Sequence, residues 1–344
     1  MERRDFTQKL IGGLGAAAVA PAIFPQKKQP KMIRPNRLKP GMRVAIVAPA
    51  SPVSEEKLLK TMSNLTNFGF NLRPAAHLRD RTGYLAGSDA ERLDDLHRAF
   101  ADPEVDAIWC ARGGYGCTRL LGDVDFKLIK KNPKPFIGYS DITALHCAIA
   151  KKTGLVTFHG PVGASDFTEF TLDCVKRVLF EPTPRFQIGL PDATLPMPDP
   201  IFQPETLRKG VAQGPLIGGN LSLLSALAGT EWAPDFTKKL VFIEEIDEKP
   251  YRCDRMLTQC LDALNLRKAA GIVLGVFKGC EKGEKDDSFP LREMLRDRLG
   301  NLGIPVIYGL PFGHVSDQCT FPVGIPAELD ADRGVVTLLQ GAVL

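Results

Sequence analysis

From Gly41 onward, short apolar runs alternate with stretches of helical period. Arg43-Val44-Ala45-Ile46-Val47-Ala48 is nearly continuous and apolar and stops at Pro49, as a strand buried on both faces would. A helix follows, with Ser54 placed to cap it and Leu58, Leu59, Met62 and Leu65 as its apolar stripe. Ser88-Asp89-Ala90-Glu91 has the form of a capping box ahead of a second helix, whose stripe is Leu93, Leu96 and Phe100. Ala107-Ile108-Trp109-Cys110-Ala111 and Pro135-Phe136-Ile137-Gly138 are two more short strands, each followed by a glycine-bearing turn and a helix. Alternation of this kind predicts an α/β fold with a mostly parallel sheet flanked by helices.

The rhythm breaks after about residue 180. Prolines 182, 184, 191, 196, 198, 200 and 204 crowd one stretch, which reads as an inter-domain crossing. A second α/β region follows, with strands at Leu240 to Ile243, Ile272 to Phe277 and Val306 to Tyr308, and a helix at Asp254 to Leu264. The expected organisation is an N-terminal α/β domain over 38–180, a Pro-rich linker over 181–209, and a smaller C-terminal α/β domain over 210–344. A cleft between the two domains is where a site is expected.

Composition adds exclusions. With 44% hydrophobic and 24% charged residues in 344, the chain is neither disordered nor collagenous nor a coiled coil. Its net charge of +4 is too balanced, and its basic runs too short, to indicate a nucleic-acid partner.

The first 25 residues stand apart. Arg3-Arg4-Asp5-Phe6 is a twin-arginine pair followed by an aromatic, and Leu10 to Val19 is small and apolar. Ala18-Val19-Ala20 fits a small-x-small cleavage site. An apolar core this short falls well below the roughly 20 residues of a spanning helix, so no stable membrane insertion is expected. The segment 1–25 therefore predicts a twin-arginine-type signal, export of a folded bacterial protein to the periplasm or cell envelope, and 26–37 as a tether. A disordered Ala-rich helix is the bland alternative.

Eight cysteines show no C-x-x-C and no zinc spacing, so no metal is expected. Several, such as Cys110, Cys147 and Cys174, lie in apolar stretches and are expected in the core, with a disulfide or two as the alternative.

The segment richest in chemistry is Phe136-Ile137-Gly138-Tyr139-Ser140-Asp141-Ile142. A strand runs through Ser140 straight into a helix, which presents the serine at the carboxyl edge of the sheet and at a helix N-terminus. This has the placement of a nucleophile elbow, although Ile142 stands where G-x-S-x-G requires its second glycine. A plain N-cap is the competing reading.

A serine needs a base, and five histidines exist. His77 and His97 read as solvated. His146 lies six residues along the same helix, about 9 Å away along its axis, and cannot turn back. His159 reads as a core or cleft residue. His314, in the loop Pro311-Phe312-Gly313-His314-Val315-Ser316 after a strand, is suitably placed for presentation to a cleft. An acid to orient it is available where Leu240-Val241-Phe242-Ile243 ends in Glu244-Glu245. Period-2 alternation sends these two to opposite faces without saying which faces the site, and either would otherwise pair with Arg252 or Arg255.

Five segments in order carry a resemblance. They are Ala111-Arg112-Gly113-Gly114-Tyr115-Gly116, Gly138-Tyr139-Ser140-Asp141, Gly218-Gly219-Asn220-Leu221, Phe242-Ile243-Glu244-Glu245 with Tyr251-Arg252-Cys253-Asp254-Arg255-Met256-Leu257, and Gly313-His314. Together they resemble the L,D-carboxypeptidase (muramoyltetrapeptide carboxypeptidase) family of serine peptidases, from about Leu38 to the C-terminus.

The resemblance implies a triad of Ser140, Glu244 and His314, with Glu245 at a position where the family has Asp. It also implies oxyanion donors from the Asp141 N–H and the Gly113-Gly114 turn, a muropeptide substrate with a tetrapeptide stem, no cofactor, and a homodimer. Arg112 would take the substrate's carboxylate or form a structural ion pair. The reaction implied is release of terminal D-alanine by cleavage of an L,D amide bond.

Two other functions fit parts of the chain. Members resembling microcin C immunity hydrolases cleave acyl-sulfamoyl adenylates, and a two-lobed solute-binding protein would share the exported α/β form without needing the triad. Ser54-Glu55-Glu56-Lys57 matches S-x-x-K, but no S-D-N or K-T-G accompanies it.

Overall fold

A computed structural model describes residues 30–183, 185–189, 204–283 and 286–344. The expected leader over 1–25, the first four residues of the 26–37 tether and the proline-dense centre of the linker lie outside the described residues.

The first sheet has six strands, in the order Phe321–Val323, Thr157–His159, Phe136–Gly138, Ala107–Cys110, Arg43–Val47 and Asn71–Pro74. All neighbours run parallel except the first pair. Helices cover it as the apolar periodicity requires. Ser54 accepts from the Lys57 N–H at 3.3 Å, and Ser88 and Glu91 close a reciprocal capping box. Caps of this kind are worth about 1 kcal/mol each.

The second sheet is larger, eight strands in a unit of slightly fewer residues. Its order is Gln187–Ile188, Val335–Leu338, Pro326–Asp330, Val211–Asn220, Leu240–Ile246, Gly271–Lys278, Val306–Leu310 and Glu205–Arg208. The strands from Val211–Asn220 to Val306–Leu310 are parallel, and the outer ones antiparallel.

Two features differ from the expected division at 181–209. That segment supplies Gln187–Ile188 and Glu205–Arg208, which close opposite edges of the second sheet, so its ends are structure rather than crossing. In return the C-terminal region lends Phe321–Val323 to the first sheet, where it pairs with Thr157–His159. An edge strand leaves a row of backbone groups unpaired, and an antiparallel returning segment pairs those of the strand beside it and leaves a short edge of its own.

The units also meet through the helix Thr143–Thr153. Ala144 to Ile149 are all buried, because the helix covers the first sheet on one side and packs against Leu221–Leu227 and the strand Val211–Asn220 on the other. The Thr143 hydroxyl accepts from the Asn220 N–H at 3.0 Å across the junction. Gly219 is required there, since a Cβ would lie 2.4 Å from that hydroxyl.

Candidate active site

The carboxyl ends of both sets of parallel strands converge on one place. Phe136–Gly138 delivers Ser140, Leu240–Ile246 carries Glu244 near its end, and Val306–Leu310 leads to His314. The Ser140 Oγ lies 3.1 Å from His314 Nε2, and His314 Nδ1 lies 2.8 Å from Glu244 Oε2. One residue from the first unit and two from the second thus form a continuous hydrogen-bonded line.

Local backbone explains each placement. Ser140 adopts φ +65°, the left-handed region, directly after the strand; it is not the N-cap of the short helical turn it opens. Holding a non-glycine residue there costs on the order of 1–3 kcal/mol, which surrounding contacts must offset. The effect is a sharp strand-to-helix turn that projects the hydroxyl, without the second glycine of the usual motif. Gly313, at φ +110°, lets the preceding loop lie against the acid, for a Cβ would sit 2.9 Å from Glu244 Cβ. The Gln318 side-chain amide donates to the Gly313 carbonyl and fixes the same loop. Tyr139 meets the His314 ring edge-on, centroids 4.9 Å apart.

The two adjacent acids have separate tasks. Glu244 is fully buried with its Oε1 unpartnered and its Oε2 on the histidine. Glu245 turns to the opposite face, where it accepts from Asn220 Nδ2 and the Ile246 N–H, and from both the N–H and hydroxyl of Ser222. It anchors the start of the helix Leu221–Leu227 and pairs with neither Arg252 nor Arg255. Burial pushes the Glu245 carboxyl upward, partly offset by Ser222 and its other donors. For His314, burial acts to lower the pKa, but the charge and hydrogen bond of Glu244 outweigh it and hold it above the ordinary 6.5.

The glycine turn after Ala107–Cys110 presses on the serine. A Cβ on Gly113 would stand 2.9 Å from Ser140 Cβ and 3.1 Å from its Oγ. Gly114, at φ +116°, could carry no side chain either, because Ser51 Oγ would be 2.3 Å away. Among the described residues the Gly113 and Gly114 N–H groups meet no acceptor. Asp141 follows the serine with its carboxylate buried, accepting from the Cys117 N–H at 2.8 Å. Its pKa is raised, burial being the main cause. Arg112 donates to the Pro52 carbonyl at 2.8 Å and has no carboxylate partner among the described residues, so the ion-pair alternative is not realised.

Among the described residues the remaining histidines make no hydrogen bond to Ser140. His146 is buried between the Thr157 hydroxyl and the Gly138 carbonyl, and burial lowers its pKa to about 4. His159 is buried with neither ring nitrogen partnered. His77 and His97 are half-buried rather than simply solvated: His77 Nδ1 meets Asp80 at 2.7 Å, and His97 accepts from the Asp125 N–H at 2.9 Å. The eight cysteines are free and buried, the Cys174 and Cys319 sulfurs 3.1 Å apart.

Sequence reasoning missed Arg92. Its side chain is wholly buried and donates to the Pro49 and Gly116 carbonyls, with Asp89 as counter-ion. It clamps the glycine turn from behind while Asp141 holds it at Cys117. The available signal was its position on the apolar stripe, four residues before Leu96.

Comparison with known proteins agrees with this architecture. The LD-carboxypeptidase N-terminal domain matches residues 44–160 and its C-terminal domain residues 213–329. The chain is 40% identical over 313 residues to a probable murein peptide carboxypeptidase of Bacillus subtilis, covering 90% of this chain and 95% of the relative. The crystal structure of muramoyltetrapeptide carboxypeptidase from Oxalobacter formigenes superposes with TM-score 0.74 at 33% identity, covering 86% of this chain and 98% of that one. An MccF-like protein from Bacillus anthracis superposes with TM-score 0.78 at 32% identity, covering 89% and 99%.

Proposed function

We propose that this chain, which belongs to the LD-carboxypeptidase family and is a serine-type carboxypeptidase, releases terminal D-alanine from peptidoglycan stem tetrapeptides. The observation that carries the reading is the Ser140–His314–Glu244 line, assembled from two units with both hydrogen bonds in place. The names of the Bacillus and Oxalobacter relatives support the substrate class.

In this reading Ser140 attacks the carbonyl of the third stem residue while His314 Nε2 takes its proton. Glu244 holds the ring with Nδ1–H toward it and stabilises the imidazolium. The oxyanion is met by the Asp141 N–H and an N–H of the Gly113-Gly114 turn, each such donor worth about 10²–10³ in rate. The proton passes to the departing amine of D-alanine, and the acyl group stays on Ser140. Water, deprotonated by His314, then releases the shortened peptide and restores the serine. Arg112, with donors left over beyond Pro52, takes the carboxylate of D-alanine. Arg3-Arg4 and the small apolar run behind them support export to the periplasm or envelope as part of the same reading.

The test is D-alanine release from a muramoyl tetrapeptide beside hydrolysis of an aminoacyl-sulfamoyl adenosine. Faster turnover of the tetrapeptide is expected. Turnover of the sulfamoyl adenosine alone would replace this reading with the immunity-type hydrolase suggested by the MccF-like neighbour.

A further inference from the structure

Tyr84 and Tyr115 are exposed, at 64% and 48%, and their rings meet edge to face at 62°, centroids 5.7 Å apart. The other large apolar side chains left exposed in the described structure, such as Leu59, Val211 and Phe289, do not pair in this way. Each ring is held out by a stiff backbone. Tyr84 tips a two-residue hairpin in which Thr82 and Leu85 exchange both backbone hydrogen bonds, at 2.9 and 3.0 Å, with Gly83 at φ +61°. Tyr115 sits in the glycine turn itself, its N–H on Ser51 Oγ at 3.0 Å. The two loops are pressed together, since a Cβ on Gly116 would come within 2.8 Å of the Leu85 side chain.

Solvent-exposed aromatic surface fixed beside a site is the usual mark of a ligand contact. Position then narrows the ligand. Gly113 abuts Ser140, and Tyr115 is two residues on, at most about 7 Å of chain further, with its ring a side-chain length beyond that. From the attacked carbonyl of the third stem residue back to the first is three residues, roughly 10–11 Å of extended chain, after which comes the sugar. The corner is within reach of the sugar's position.

Resting on the function proposed above, we infer that the Tyr84–Tyr115 corner is a stacking platform for the N-acetylmuramoyl sugar of the substrate. One ring lies under the apolar face of the pyranose and the other forms a wall, while the phenol hydroxyls meet its polar rim.

The experiment compares kcat/KM for the free tetrapeptide and the N-acetylmuramoyl tetrapeptide in the wild type and in Tyr84→Ala/Tyr115→Ala. The wild type is expected to favour the sugar-bearing substrate about tenfold, through KM, and the double variant to bring the ratio close to one. A ratio unchanged by the substitutions, or equal losses on both substrates, overturns the platform and leaves the peptidase reading standing. A preference lost instead on an aminoacyl-sulfamoyl adenosine assigns the corner to a nucleobase and also overturns it. A wild type that cleaves neither peptide refutes the function and the platform together.

Discussion

Replacing Glu244 by Gln keeps the shape of the side chain and removes its charge. The carboxylate oxygen is 2.8 Å from His314 Nδ1, the acid is fully buried, and the imidazole only slightly exposed. At an effective dielectric of about 20, unit charges at that separation attract by about 6 kcal/mol. That attraction exists only while His314 is protonated, which in the proposed mechanism is the transition state and the tetrahedral intermediate. Its loss corresponds to about a 10⁴-fold fall in kcat. The same substitution leaves burial, the largest influence, opposed only by the weaker charge of Glu245, so the His314 pKa, now held above 6.5, should drop below it.

In the proposed mechanism His314 acts as the base only when neutral. The wild-type acid limb of kcat/KM should therefore lie above pH 6.5 and that of Glu244→Gln below it, on a far lower plateau. D-alanine release from a muramoyl tetrapeptide across pH 5–9 measures both. A variant within tenfold of the wild type, or an acid limb that stays in place, would refute the reasoning.

Three further outcomes follow from the geometry. Gly113→Ala should lower kcat by at least about 10² with the fold kept by circular dichroism, because the new methyl displaces Ser140 and the turn N–H together; a variant with full kcat would remove the turn from the site. His146, whose folded pKa of about 4 lies below the ordinary 6.5, makes its contribution in full above pH 6.5 and loses it as pH falls toward 4. About 3 kcal/mol should disappear over that window in urea titrations, and His146→Gln should flatten the slope. Burial raises the pKa of Cys110, Cys117 and Cys319 and leaves all eight thiols covered, so a thiol reagent should find none in the native protein and eight after denaturation; prompt native labelling would contradict the packing.

In the first sheet Arg43–Val47, Ala107–Cys110 and Phe136–Gly138 were legible because they are short apolar runs punctuated by turn residues, whereas Asn71–Pro74, largely exposed and polar, and Thr157–His159 were not. The strand Val211–Asn220 was not read as one. Gly214, Pro215, Gly218 and Gly219 break its apolar pattern, and the reason lies in the neighbouring strand: a Cβ on Gly218 would be 1.8 Å from the Phe242 carbonyl oxygen. Strand swapping between the units was equally hidden, since Phe321-Pro322-Val323 is too short to declare its partner.

In the site, strand alternation separated Glu244 from Glu245 but could not orient them. The choice is made by Asn220 and Ser222, which claim Glu245 and leave Glu244 facing His314. The left-handed turn at Ser140 left no trace in composition, because the motif has no glycine there; the serine itself takes the positive φ, with Gly113 packed close against it.

In the proposed mechanism Ser140 and His314 work as one catalytic unit across the two halves of the chain. D-alanine release from a muramoyl tetrapeptide by Ser140→Ala, His314→Ala and the double variant tests it most directly. Either single substitution should remove nearly all activity and the double should cost no more, as for groups that act together. Losses that multiply, or a Ser140→Ala enzyme that still turns over, would contradict it.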